Sequence, residues 1–246
     1  MKFTILDTAE QLAERAAGEI VRRVRAKPSA VLILATGNTP LRTYARIVEV
    51  TRRDNVDWSH VRIVALDEYA DIPRDDPRVL GAWLEREIVG PLGIDAERFI
   101  RFDPAGDPIA ECARMEAWVA RNGPADLAIL GLGLNGHLGF NEPGTPFASS
   151  THHLPLTPES IASNAVYWGG QANVPRMAFT LGLATLAGSR SIMLLVSGAP
   201  KAAILKRCLE GPVGPEVPAT ALRAHVDAIV LADGPAAAKL FGGKTT

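Results

Sequence analysis

His137 and Glu142 are the groups best able to carry a proton in GLGLNGHLGFNEPG (residues 131–144), a stretch made otherwise of glycine, apolar residues, one proline and two asparagines. An imidazole changes charge near neutral pH, and a histidine set between Gly136 and Gly139 can stand clear of bulky neighbours. A lone histidine is usually structural. Here the glycines around it and the carboxylate that follows favour proton transfer. Glu142 precedes Pro143, which biases its backbone to extended geometry and lets its side chain aim back along the loop. A carboxylate on one ring nitrogen fixes the tautomer, leaving the other nitrogen to exchange a proton with a ligand.

Two further carboxylates, Asp67 and Glu68, end the apolar run VRIVAL. In extended chain they point to opposite sides, so one can face a cleft while the other caps or pairs structurally. A partly buried carboxylate is a competent base for removing a proton next to a carbonyl, although capping a following turn explains the pair equally well. Thr36, Gly37, Asn38 and Thr39 lie between a predicted strand and a helix, with Thr39 as N-cap and Pro40 as the first helical residue. The free N–H groups of such a helix start can hold a phosphate; a merely well-capped turn looks the same in sequence. Lys201, in SGAPK, falls in the first turn of another predicted helix. Its charge opposes the helix dipole there, a cost that a bound anion would reverse and that a solvated surface lysine simply tolerates.

These clusters need a scaffold. Thr8 and Gln11 have the spacing of a capping box, and Leu12, Ala16, Ile20 and Val24 form one helical stripe after them. AVLILA (30–35), VRIVAL (61–66), DLAILGLG (126–133), SIMLLV (191–196) and AIVLA (228–232) read as strands apolar on both faces. Helices are predicted from Pro40, over about 78–90 and 108–121, and after SGAPK. The alternation predicts an α/β fold: a doubly wound, mostly parallel, Rossmann-like sheet flanked by helices, in a single domain over residues 1–246, its first strand near residue 30. In such sheets ligands bind beyond the carboxyl ends of the strands, near a switch in strand order. All four polar clusters follow predicted strands.

The 246 residues, 47% of them hydrophobic, suffice for a core without disulfide or metal. A net charge of −1, from 26 basic and 27 acidic residues interspersed along the chain, gives no global field for nucleic acid or an anionic membrane. Cys112 and Cys208 stand apart without metal-ligand spacing and are expected to be buried thiols in a reducing compartment. Asp7 comes before any apolar stretch of signal-peptide length, and AVLILA and SIMLLV are too short to span a bilayer. The expectation is a cytoplasmic protein acting on a small molecule, with neither nucleic-acid nor membrane partner; assembly into a homo-oligomer stays open. His152 and His153 sit in a polar segment and read as exposed.

Taken in order, LATGNTPL, LDEY, GLGLNGHLGFNEPG and VSGAPK resemble the glucosamine-6-phosphate deaminase / galactosamine-6-phosphate isomerase family, which shares its fold with the 6-phosphogluconolactonases. The likeness spans nearly the whole chain. It implies that an amino-sugar phosphate ring opens, a proton moves from C2 to C1, and ammonia leaves a ketose 6-phosphate. On the matching positions Asp67 would shuttle the proton, His137 oriented by Glu142 would assist ring opening, and Thr36, Gly37, Asn38, Thr39 and Lys201 would hold the sugar phosphate. No metal or organic cofactor is implied. Many glucosamine enzymes have aspartate where this chain has Asn135, and an arginine on the phosphate from the segment matching ASNAVYW (162–168), which here has no basic residue. Losing that contact would cost on the order of 2 kcal/mol or more unless another cation substitutes, with Arg42 and Arg176 as candidates. LATGNTPLRTY and GLGLNGHLG look closer to the galactosamine branch, and THHLPLT offers only histidines where an allosteric activator would need basic side chains.

Two rival readings share the fold. A 6-phosphogluconolactonase also carries a Gly-His pair, but gives Glu142 no evident work and usually follows its histidine with T-A-S-L-F-P. A non-catalytic sugar-phosphate sensor would not need Asp67, His137 and Glu142 together, and the chain shows no basic stripe or helix-turn-helix.

Overall fold

Ten strands and eight α-helices occupy residues 1–240, the part that the computed structural model describes; residues 241–246, the end of the expected 1–246 domain, lie outside the described residues. The strands are β1 (Lys2–Leu6), β2 (Val31–Leu34), β3 (Arg62–Ala65), β4 (Asp67–Ala70), β5 (Phe99–Ile100), β6 (Leu127–Gly131), β7 (His152–Pro155), β8 (Met177–Thr180), β9 (Ile192–Val196) and β10 (Ala228–Asp233). The helices are α1 (Ala9–Ala26), α2 (Asn38–Asp54), α3 (Leu80–Leu84), α4 (Pro108–Asn122), α5 (Pro158–Trp168), α6 (Leu183–Ala187), α7 (Ala202–Glu210) and α8 (Gly234–Ala237).

Seven strands form a wholly parallel sheet in the order β1-β10-β9-β6-β2-β3-β5. From β2 the chain proceeds outward through β3 to β5, then returns to the other side of β2 with β6 and continues through β9 to β10. The switch in strand order therefore lies between β2 and β6. This is the single-domain, doubly wound α/β architecture that the alternating pattern predicts.

The two-sided apolar strands explain the layers. In β2, Val31 and Ile33 enter one core with Met115 of α4 and Ile204 of α7, while Leu32 and Leu34 enter another with Leu12, Ala16, Ile20 and Val24 of α1 and Tyr44 and Ile47 of α2. The α1 stripe is fully buried as predicted, each large aliphatic side chain contributing about 1.5–3 kcal/mol. Thr8 caps α1, its hydroxyl accepting from Gln11 N at 3.2 Å; Gln11 reaches back to Asp7 N at 2.8 Å, one residue short of a reciprocal box.

Three elements depart from the sequence reading. The sheet begins at Lys2, not near residue 30, because β1 is a half-exposed edge strand that lacks the apolar run of its neighbours. The helix over 78–90 is α3 followed by a π-helical turn, Glu85–Val89. And DEY does not merely extend its strand: β4, β8 and β7 form a second, antiparallel sheet, which the sequence reading did not include, in the order β4-β8-β7.

Candidate active site

The four polar clusters follow β9, β6, β2 and β3, which are consecutive neighbours in the parallel sheet, so they line one edge on both sides of the switch. Leu66 carries the chain from β3 into β4. Its N–H donates to Leu34 O of β2 at 3.0 Å and its carbonyl accepts from Leu181 N at 2.9 Å, which locks one residue between the two sheets. The next two residues are the carboxylates.

Asp67 and Glu68 are both buried, and they divide the work as alternation predicts. Glu68 accepts from Tyr69 N at 2.9 Å, Leu80 N at 2.7 Å and Gly81 N at 2.7 Å, so it supplies the cap that the start of α3 lacks locally. Asp67 is left free: its Oδ1 is buried and has no hydrogen-bond partner. Burial, reinforced by the Glu68 charge, pushes the Asp67 carboxyl up to about 8. Glu68 is pushed up to about 7 by burial, against the pull of its three N–H donors and Arg101. Asp67 also acts on Tyr44, whose hydroxyl donates to Ala35 O at 2.7 Å just before the TGNTP turn.

The loop after β6 meets this strand through Thr180. In the ladder Thr180 stands opposite Asp67, and its Oγ1 accepts from Phe140 N at 3.3 Å and Asn141 Nδ2 at 3.4 Å. Asn141, fully buried, also donates to Leu138 O at 2.8 Å and Leu181 O at 2.9 Å, and so pins the loop from within. Gly139 sits at φ 60°, and a Cβ there would lie 2.8 Å from Thr180 Oγ1 and 3.0 Å from Leu66 Cγ. Only glycine permits both that backbone conformation and that approach.

His137 Nδ1 lies 3.3 Å from Glu142 Oε2, and its ring rests over Gly133, where a Cβ would come within 2.3 Å of it. Asn135 braces the pair from both ends: Oδ1 accepts from His137 N at 3.1 Å and Nδ2 donates to Glu142 Oε2 at 3.0 Å. The other carboxylate oxygen, Oε1, accepts from the hydroxyl of Ser160 on α5. Burial opposes ionisation of Glu142, but His137, Ser160 and Asn135 together hold its carboxyl below the ordinary glutamate value. The result is a carboxyl biased toward its ionised form behind a partly exposed imidazole.

At the TGNTP turn the helix starts earlier than predicted. Gly37, at φ 115°, is the N-cap, and α2 begins at Asn38, so Thr39 is no cap and Pro40 is the third helical residue. Glycine allows the sharp entry, and the N–H groups of Asn38 and Thr39 are left without helical acceptors beside the partly buried Thr36. At the SGAPK turn Asp233 accepts from Ser197 Oγ at 2.5 Å, Gly198 N at 3.0 Å and Ala236 N at 2.8 Å, fixing the loop to the start of α8. Lys201 ends the short turn before α7, half-buried; its N–H donates to Gly198 O at 3.0 Å, while its ammonium makes no hydrogen bond or ion pair among the described residues. Burial lowers its pKa.

Of the two substitute cations, Arg42 is ion-paired with Glu10 at 2.6 Å and Arg176 is exposed beside β8. His152 and His153 are not the exposed pair expected: both are half-buried on β7, where antiparallel pairing sets His153 against Phe179 at 5.1 Å. Thr180, Ser160, Asn141 and Asp233 were not singled out by sequence. Thr157-Pro158 and Asp233-Gly-Pro are readable cap signals that point to two of them; Thr180 has no local signal. Among the described residues no three His, Cys, Asp or Glu side chains are grouped to hold a metal ion, and no helix is long and apolar enough to cross a membrane.

The family model described as glucosamine-6-phosphate isomerases/6-phosphogluconolactonase matches residues 6–231. The chain belongs to this family. Within it, the chain is 39% identical over 238 residues to glucosamine-6-phosphate deaminase 1 of Bacillus subtilis, covering 96% of this chain and 98% of that protein. The deaminase of Geobacillus sp. is 38% identical, covering 95% and 93%. A solved structure described as a monomeric glucosamine-6-phosphate deaminase superposes with a TM-score of 0.95 at 37% identity, over 97% of this chain and all of that one. The lactonase arm of the family shares the fold: the Trypanosoma brucei 6-phosphogluconolactonase gives a TM-score of 0.74 at 20% identity, over 97% and 98%.

Proposed function

We propose that this protein is a hexosamine-6-phosphate deaminase that converts glucosamine 6-phosphate and water to a ketose 6-phosphate and ammonia. The observation that carries the reading is the pairing of two proton-handling units at one sheet edge. One is a buried, unpartnered carboxyl of raised basicity, Asp67; the other is an imidazole backed by a fixed anion, His137 with Glu142. Relatives at 38–39% identity that are named glucosamine-6-phosphate deaminases support the substrate class.

In this mechanism His137 moves a proton between the ring oxygen and the anomeric hydroxyl, opening the sugar to an aldehyde. Glu142 stabilises the imidazolium formed on the way and holds the ring orientation. Ionised Asp67 then takes the proton from C2, giving an enolamine, and returns it to C1. The C2 iminium that results adds water and expels ammonia. Burial of Asp67 among apolar neighbours strengthens it as a base for this weakly acidic carbon proton. The phosphate is held by the N–H groups of Asn38 and Thr39 and the Thr36 hydroxyl at one helix start, and by Lys201, whose half-buried ammonium gains an anionic partner on binding.

Galactosamine 6-phosphate is the second substrate reading. Asn135, in place of the aspartate of many glucosamine enzymes, and the absence of a basic residue on α5 favour it. Lactone hydrolysis is disfavoured by Glu142, whose three side-chain partners serve an ester hydrolase in no evident way.

Ammonia release from both epimers, measured side by side without added metal, tests the reading; Asp67→Asn should abolish it. Hydrolysis of 6-phosphogluconolactone with no ammonia from either epimer would overturn it.

A further inference from the structure

We propose that Ser160 is a positioning residue for the His137–Glu142 pair, its hydroxyl fixing the orientation of Glu142 and keeping that carboxylate ionised from the first turn of α5. This rests on the reading that His137 and Glu142 act together in ring opening.

Ser160 is 1% exposed, and a serine so placed early in a helix ordinarily bonds to its own backbone. Here the local bonds are made by other groups. Ser160 N donates to Thr157 Oγ1 at 3.2 Å, while Ser160 O accepts from Ser163 Oγ at 3.0 Å and Asn164 Nδ2 at 2.9 Å. The hydroxyl is thereby released to point out of the helix, and it donates to Glu142 Oε1. The contacts on Glu142 are then divided: Asn135 donates to Oε2, which also lies 3.3 Å from His137 Nδ1, and Ser160 donates to Oε1. Without Ser160 the carboxylate keeps donors on one oxygen only and is free to swing about its terminal bond, carrying Oε2 away from the imidazole. The groups facing Glu142 are the titratable His137 and Asn135 of its own loop and the neutral hydroxyl of α5. No lysine or arginine is among these groups, so the hydroxyl acts on a carboxylate that no fixed cation holds.

The far end of α5 supplies the control. Trp168 packs edge-on to Tyr69 of β4 with ring centroids 5.1 Å apart and lies under the Arg78 guanidinium at 4.1 Å. These contacts hold α5 independently of Ser160, so removing the hydroxyl tests the hydrogen bond and not the docking of the helix.

The experiment follows the titration of Glu142 by carbon NMR in protein labelled at the glutamate carboxyl, assigned with Glu142→Gln. Ser160→Ala and the similarly shaped Ser160→Cys, a much weaker donor, are expected to raise the Glu142 midpoint by about one pH unit, a tenfold change in its proton affinity, and Ser160→Thr to restore it. KM for the ammonia-releasing reaction should stay within about twofold of the wild type. A midpoint unmoved in both Ala and Cys variants, or raised as much in the Thr variant, overturns the proposal. A shifted midpoint in a protein that releases no ammonia upholds the positioning role and refutes the assigned reaction.

Discussion

Asp67→Asn exchanges a buried carboxyl for a neutral amide of nearly the same shape, and its effect on stability can be worked through from the surroundings of the residue. The native carboxyl is pushed up from 3.8 to about 8 by burial and by Glu68. In the unfolded chain it titrates near 4. Between those values the native state holds a proton that the unfolded state has released. The stability associated with this group is therefore fully present below about pH 4 and is lost as pH rises toward about 8. At about 1.4 kcal/mol per unit the limiting loss is about 6 kcal/mol, and sharing of the shift with Glu68 reduces the working figure to about 3 kcal/mol. Asparagine has no proton to lose. The variant should match the wild type near pH 4 and exceed it at pH 8 by about 10 °C in Tm, while releasing no ammonia. Calorimetric melts at a series of pH values between about 4 and 8.5 would read the difference directly. A variant less stable than the wild type at pH 8, or a gap that does not grow with pH, would refute the reasoning.

Two further substitutions probe the loop after β6. Asn135→Asp places a second carboxylate where an amide now donates to Glu142 Oε2 at 3.0 Å; at a separation of about 4 Å between charge centres the repulsion is about 4 kcal/mol, so the two groups must share a proton and the titration profile of the Glu142 carboxyl, followed by carbon NMR, should move up by one to about three units. An unshifted profile would show that the amide proton is not on Glu142. Gly133→Ala puts a methyl group within 2.3 Å of the His137 ring, so kcat should fall by at least about a hundredfold while the far-ultraviolet dichroism stays native.

The strands that could be read in the sequence are those apolar on both faces, β2, β3, β6, β9 and β10, because burial between two helix layers leaves no polar alternation to dilute the signal. KFTIL, HHLP and MAFT are strands by partnership: each is short, and what stabilises it is a neighbour remote in sequence. The same division runs through the candidate site. Asp67, His137, Glu142 and Lys201 were legible because the carboxyl ends of parallel strands are where such residues gather, whereas Asn135 was marked only by the resemblance. Thr180 was not, since its tie to Asn141 exists only once β8 has paired with β4. Capping of α3 by Glu68 likewise comes from another strand and leaves no mark near Val79. The early start of α2 at Gly37 reflects a backbone angle that Ser- and Thr-based cap rules do not weigh.

The first strand touches none of this chemistry, yet it governs how the molecule meets others of its kind. β10 is almost entirely buried and reads AIVLAD; β1 covers one of its two edges, and carries Lys2 and a largely solvated outer face in its place. Were the first six residues removed, β10 would offer an apolar row of unpaired N–H and C=O groups to any passing strand. Those few residues act as a selvedge, finishing the cloth of the sheet so that it does not catch on its neighbour.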